Sequence, residues 1–124
     1  MTYRFIRLEQ GNDRVARLTL NRPESLNALS PAMVDELRDA VASLHGSGAR
    51  CLLMTGEGRA FSSGADLAGG ASGPPADLGA ALEQHFNPLI EAVFALPMPV
   101  VAAVNGPCAG AGCSLALAAD LVVA

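Results

Sequence analysis

Apolar and polar positions alternate early in the chain: Ala16, Leu18 and Leu20 are interleaved with Arg17 and Thr19. That period of two is the signature of a strand with one face buried. With the turn Gly11-Asn12-Asp13 before it, the pattern predicts two strands, over 3–10 and 14–20. Asn21-Arg22-Pro23 interrupts the pattern, and a loop runs to Leu29. The period then lengthens. Met33, Val34, Leu37, Val41 and Leu44 share one helical face, with Asp35, Glu36, Arg38 and Asp39 off it. Ser30 followed by Pro31 starts this helix, Ser as N-cap and Pro in the first turn. His45-Gly46-Ser47-Gly48 ends it. Cys51–Thr55 is a short, uniformly apolar run, as expected of a strand buried on both faces.

Farther on, 68–76 has the Gly/Ala/Pro-rich composition of a mobile loop. Leu82, Phe86, Leu89, Ile90 and Val93 predict a helix over 78–96, framed by Pro97 and Pro99. A strand over Val100–Val104, a Gly-rich turn over Asn105–Ala109, a helix over 110–119 and the start of another strand at 121–124 follow. Strands alternating with helices predict an α/β domain with a mostly parallel sheet. The chain stops inside a strand with no helix to cover it, and so reads as truncated.

Between Ala92 and Ala119 there is no charge, a length that could span a bilayer. Pro97, Pro99, Asn105 and Gly106-Pro107 divide it into short pieces, which fits a water-soluble core and not a membrane span. The N-terminus is charged and has no apolar h-region, so no signal peptide is expected and the compartment reads as cytoplasmic. Net charge is −4, and the basic residues are eight scattered arginines, none beyond Arg59. No basic face for nucleic acid arises from that distribution. Cys51, Cys108 and Cys113 have no metal-ligand spacing and read as small buried side chains in a reducing compartment. Charged residues are 16% of the chain, below the usual quarter, which predicts that another half or other subunits cover part of the surface.

Two turns attract attention for chemistry: Phe61-Ser62-Ser63-Gly64-Ala65-Asp66, and Asn105-Gly106-Pro107-Cys108-Ala109-Gly110-Ala111-Gly112. Each follows an apolar strand, where open α/β sheets bind ligands. Small residues there let a ligand reach backbone N–H groups, and a helix N-terminus adds positive potential. Neither turn is a dinucleotide fingerprint, and a P-loop needs a Lys that the chain lacks. On spacing alone, tight helix–strand packing is favoured over a ligand as the role of these glycines.

The segments Asn21-Arg22-Pro23-x-x-Leu26-Asn27-Ala28-Leu29, Gly58-Arg59-Ala60-Phe61-Ser62-Ser63-Gly64-Ala65-Asp66-Leu67 and Pro99-Val100-Val101-Ala102-Ala103-Val104-Asn105-Gly106-x-x-Ala109-Gly110-Ala111-Gly112 resemble the crotonase (enoyl-CoA hydratase/isomerase) superfamily. The resemblance implies that residues 1–124 are the N-terminal part of one crotonase-fold domain, a spiral of ββα units, with the C-terminal part absent. It implies homotrimers or hexamers of the full-length form, an acyl-CoA thioester as substrate, and no cofactor other than the coenzyme A the substrate carries. The N–H groups of Ala65 and Ala111 would form an oxyanion hole. Substrate-binding positions would include Arg22, Leu26, Ala28, Ser63, Gly64, Asp66, Leu67, Gly110, Gly112 and Ser114, with Arg59 a further candidate for CoA phosphates.

Removing a thioester α-proton makes an enolate, which two preorganised donors could each stabilise by about 3 kcal/mol. Hydratases of the superfamily place a Glu where this chain has Ser114, whose hydroxyl is too weak a base to activate water. The resemblance therefore favours an isomerase with one catalytic carboxylate beyond residue 124. Asp77-Leu78-Gly79 and Phe86-Asn87-Pro88-Leu89 are similar to the ring-1,2-epoxyphenylacetyl-CoA isomerases of phenylacetate breakdown. A hydratase, lyase or thioesterase of the same superfamily is the alternative, and a non-catalytic CoA-binding fragment is the alternative of another class. His85 and His45 read as surface or helix-end residues.

Overall fold

The computed structural model describes residues 2–65 and 86–124. The expected loop over 68–76 and the first part of the helix expected over 78–96 lie outside these residues. Five strands form one sheet in chain order: β1 (Ile6–Gln10), β2 (Val15–Leu20), β3 (Cys51–Gly56), β4 (Val100–Ala103) and β5 (Leu121–Val123). β1 and β2 pair as an antiparallel hairpin, and every later pairing is parallel. Three α-helices are described, α1 (Pro31–Ser43), α2 (helical over 86–94) and α3 (Gly110–Leu117), beside a short 3-10 turn at Pro23–Ser25. The order β-β-α-β-α-β-α-β is the one the periodicities predict.

The start of α1 follows from its sequence. Ser30 has extended backbone angles and its hydroxyl accepts the N–H of Met33 at 3.2 Å, while Pro31 has no N–H to leave orphaned. Met33, Val34, Leu37, Ala40 and Val41 are buried, and they join Leu18, Leu20, Leu52, Met54, Val100 and Ala102 of the sheet in one core. Phe86, Leu89 and Val93 of α2 and Leu115 and Ala116 of α3 complete it. Removing such side chains from water is the main favourable term holding sheet and helices together.

The first strand is shorter than its pattern predicts. It begins at Ile6, because the N–H groups of Arg4 and Phe5 donate to the Glu36 carboxylate on α1, at 3.1 and 2.8 Å, rather than to a strand. Tyr3 adds a bond to Asp39 of the same helix at 2.7 Å. Burial, with this bond and the charge of Asp39, pushes the Tyr3 hydroxyl up to about 12. The entry of the chain is thus pinned to α1 by two acidic residues off its apolar face.

β3 is not buried on both faces. Leu52 and Met54 are fully covered, whereas Cys51, Leu53 and Thr55 are half-exposed, and β4 repeats the pattern with Val101 and Ala103. The registers Leu52↔Val100 and Met54↔Ala102 place the buried members on a single face, which carries the core. A uniformly apolar run thus marks a strand without saying what lies against its second face. Leu121, Val122 and Val123 of the outermost strand are 63%, 46% and 57% exposed, so this sheet edge is apolar and open. The three cysteines are half-buried, not buried as the sequence suggests. The uncharged run from Ala92 to Ala119 divides among the end of α2, β4 and α3, and no described helix is long and apolar enough to cross a membrane.

Candidate functional site

Parallel strands end on the same edge of the sheet, so the loops after β2, β3 and β4 leave it side by side. Two isolated parallel bridges lace them together: Leu29 pairs with Ala65, and Ser62 with Cys108. The supporting hydrogen bonds are Leu29 N–H to the Gly64 carbonyl at 2.7 Å, Ser62 N–H to Pro107 at 3.3 Å and Ala109 N–H to Ser62 at 3.1 Å. Ser63 N–H adds a bond to Leu26 at 2.9 Å. The middle loop is therefore held on both sides by its neighbours.

Two asparagines brace the same loop from opposite flanks. Asn27 is fully buried, with φ of 56°, a left-handed conformation that Asn tolerates better than most residues. Its Oδ1 accepts the Arg22 N–H at 2.7 Å, and its Nδ2 donates to the carbonyls of Glu57 at 3.0 Å and Ala60 at 2.9 Å. From the third loop, Asn105 Nδ2 donates to the carbonyls of Gly58 and Ala60, at 3.0 and 3.2 Å, and its Oδ1 accepts the Gly56 N–H at 3.1 Å. Both asparagines thus meet at the Ala60 carbonyl. Ser62, also fully buried, donates to the Asn27 carbonyl at 2.9 Å and accepts the N–H of Gly64 at 3.2 Å. Among the described residues, no buried side-chain polar atom lacks a partner.

This bracing sets Gly64 against the start of α3. Gly64 has φ of 102°, and a Cβ there would lie 2.9 Å from the Ala109 carbonyl oxygen and 3.6 Å from the nitrogen of Ala111. A Cβ on Gly112 would lie 2.5 Å from the Cβ and Oγ of Ser62. Glycine is needed at both places because two backbones meet there. The juxtaposed segments, 62–65 and 109–112, are the two turns singled out by the sequence. Ala109 caps α3 with extended backbone and no side-chain hydrogen bond, and the Gly112 N–H turns back to the Ala109 carbonyl at 3.0 Å. Among the described residues, neither the N–H of Ala65 nor that of Ala111 is given to another group.

The sequence profile described as enoyl-CoA hydratase/isomerase matches residues 10–124. The chain belongs to that family. It is 48% identical over its whole length to a protein named probable enoyl-CoA hydratase from Rhodobacter capsulatus, and covers 47% of that relative. It is 45% identical over 114 residues to the 1,2-epoxyphenylacetyl-CoA isomerase of Escherichia coli, matching 89% of this chain and 44% of that one. The chain thus spans about half the length of the curated relatives it matches. Among solved structures, enoyl-CoA hydratase from Mycobacterium smegmatis superposes with a TM-score of 0.89 at 32% identity, over 97% of this chain and 47% of that one. The enzyme from Bacillus anthracis gives 0.88 at 31% identity, over 96% and 46%. The fold is the crotonase-like α/β fold that the three motifs imply.

Within this family member, Leu26, Ala28, Ser63, Gly64, Ala65, Gly110, Ala111 and Gly112 come together where the three loops meet. Ser63 is exposed, and its hydroxyl donates to the Ser25 carbonyl at 3.3 Å. Ser114 is exposed on α3, its hydroxyl 3.5 Å from the Gly110 carbonyl. Arg22 turns inward: Nη1 donates to the Ala28 carbonyl at 2.8 Å and the guanidinium lies 5.5 Å from the centre of the Phe5 ring. Arg59 is exposed. Asp66 and Leu67 lie outside the described residues. Asp120 accepts the Val100 N–H at 2.8 Å.

In the sequence Asn27, Ser62 and Asn105 stand out only as members of motifs. They are the side chains that brace the loops against one another. The usable signal was a polar side chain set among apolar neighbours at a loop, where burial obliges it to find partners.

Proposed function

We propose that this chain supplies the thioester-binding half-site of an acyl-CoA enzyme, in which the N–H groups of Ala65 and Ala111 receive the thioester oxygen. The observation that carries the reading is the close approach of Gly64 to the first turn of α3, with both flanking N–H groups unclaimed among the described residues. Backbone donors fixed by bridges and buried asparagines cost no reorganisation when charge develops on the oxygen. The positive end of α3 favours the same charge. Leu26 and Ala28 line the CoA path, Ser63 lies toward the adenine end, and Arg59 is the freer of the two arginines to meet a phosphate. Asp66, Leu67, Gly110, Gly112 and Ser114 complete the proposed substrate-binding positions. No cofactor beyond the substrate's own CoA is required.

The reaction is an enolate-forming proton shift, either of an enoyl double bond or of a ring-epoxide phenylacetyl-CoA. Ser114 supports isomerisation over hydration, since an exposed hydroxyl bonded to its own helix cannot serve as a general base toward water. The name and identity of the Escherichia coli relative support the same choice. Hydration is the second reading, favoured by the name of the Rhodobacter capsulatus relative. The catalytic carboxylate is assigned to residues outside this sequence, and the working form is a cytoplasmic trimer or hexamer.

Amide NMR tests the binding half of this proposal. In the labelled chain, the amide protons of Ala65 and Ala111 should move downfield with acetyl-CoA and stay in place with CoA thiol, which lacks the carbonyl. Equal shifts with both ligands, or shifts confined to other residues, would refute it.

A further inference from the structure

The helix that begins at Gly110 has no side-chain cap, but two cysteines flank its cap residue. Cys108 precedes Ala109, at N′, and Cys113 occupies N4. These are the two positions whose side chains meet in a hydrophobic staple, packed over the first turn of a helix. Here both positions are cysteines. Backbone bonds fix both of them. Cys108 is held extended beside Ser62 by the parallel bridge, and the Cys113 N–H reaches back to the Ala109 carbonyl at 3.3 Å. Both side chains are half-buried, so each remains accessible to a small oxidant. Burial pushes the Cys108 thiol up, and the neighbouring Cys113 acts in the same direction. The third cysteine, Cys51, begins β3, on the opposite end of the sheet from the three loops.

We infer that Cys108 and Cys113 form a redox-active dithiol that a hydroperoxide closes to a disulfide across the first turn of α3. Cys113 is taken as the attacking thiol, because burial holds the Cys108 thiol protonated and makes it the poorer nucleophile. Cys113 sulfur attacks hydrogen peroxide, breaks the O–O bond and becomes a sulfenic acid, with release of one water. Cys108 sulfur then attacks that sulfur, forms the S–S bond and expels a second water. Two thiols lose two electrons in total, and the peroxide gains them. The bond encloses Ala109–Gly112, the segment that carries the Ala111 N–H and abuts Gly64. Resting on the proposed function, the second part of the inference is that closure displaces this N–H and weakens acyl-CoA binding until a reductant reopens the bond.

Trypsin separates the relevant cysteines, because Cys51 falls in the 51–59 peptide and no Lys or Arg follows Arg59. After hydrogen peroxide and alkylation of the 124-residue chain, peptide 60–124 should carry no alkyl group and be about 2 Da lighter from an internal disulfide. Peptide 51–59 should remain alkylated. Sulfinic acid at either site, or a bond from Cys51, would overturn the dithiol assignment. Acetyl-CoA titration of the same sample should show at least a tenfold loss, restored by dithiothreitol and absent in a Cys113→Ser variant. A disulfide that leaves affinity unchanged would overturn the control of binding. A chain that closes the disulfide yet binds no acetyl-CoA when reduced would count against the proposed function while supporting the dithiol.

Discussion

Replacing Asn27 with Ala is expected to lower the stability of the chain by about 3–5 kcal/mol, read as a shift in the urea midpoint at unchanged slope. The substitution strips partners from the Arg22 N–H and the Glu57 carbonyl and removes one of two donors from the Ala60 carbonyl. Each polar group left buried without a partner costs about 1–3 kcal/mol, and Ala in a left-handed conformation adds about 1 kcal/mol. Asn105 still serves the Ala60 carbonyl, which keeps the total below the simple sum. Asn27→Asp should be nearly as harmful, since a carboxylate in that place can accept from Arg22 but cannot donate to two carbonyls. A loss under about 1 kcal/mol for either variant would mean that solvent reaches these groups and that the brace is not what holds the loop.

Gly64→Ala is the second large effect, at about 2–4 kcal/mol. Two costs add here: a non-glycine residue at φ of 102°, and a methyl group 2.9 Å from the Ala109 carbonyl. Gly46→Ala separates them. Gly46 also has positive φ, at 76°, but nothing lies within 4 Å of its added Cβ. That variant should lose only the conformational part, about 1 kcal/mol. The excess in Gly64→Ala reports the pressure between the second loop and α3, and the same variant should bind acetyl-CoA less well because its methyl group pushes on the turn that presents Ala111. Equal losses in both variants would show that the two backbones are not in the close contact described.

Much of this architecture was legible because local chemistry and long-range packing agree. Ser30-Pro31 announced α1, the change of period from Leu20 to Met33 separated strand from helix, and the breakers around Pro97 and Gly106-Pro107 cut the uncharged run at the right places. Boundaries failed where a distant residue intervened, as when Glu36 took the N–H groups of Arg4 and Phe5 and delayed β1 to Ile6. β3 looked doubly buried because composition records apolarity, not what packs on each face. The turns at 61–66 and 105–112 were recognisable as sites from their small residues, but the sequence could not show that Gly64 touches the start of α3. That contact depends on parallel bridges between loops far apart in the chain. The asparagines were hidden for a related reason: a loop Asn reads as a solvated turn residue until its burial is known.

On the proposed function, two backbone N–H groups, not side chains, receive the thioester oxygen. Isothermal titration with an enolate-mimicking CoA analogue, comparing the chain with an Ala111→Pro variant, tests it most directly. Proline is tolerated in a first helical turn, so the substitution removes the N–H while keeping α3. The variant should lose roughly 10–100-fold in affinity for the charged analogue, the worth of one hydrogen bond to a charged group, with CoA thiol binding unchanged. Equal affinity of the two proteins for the analogue would contradict it.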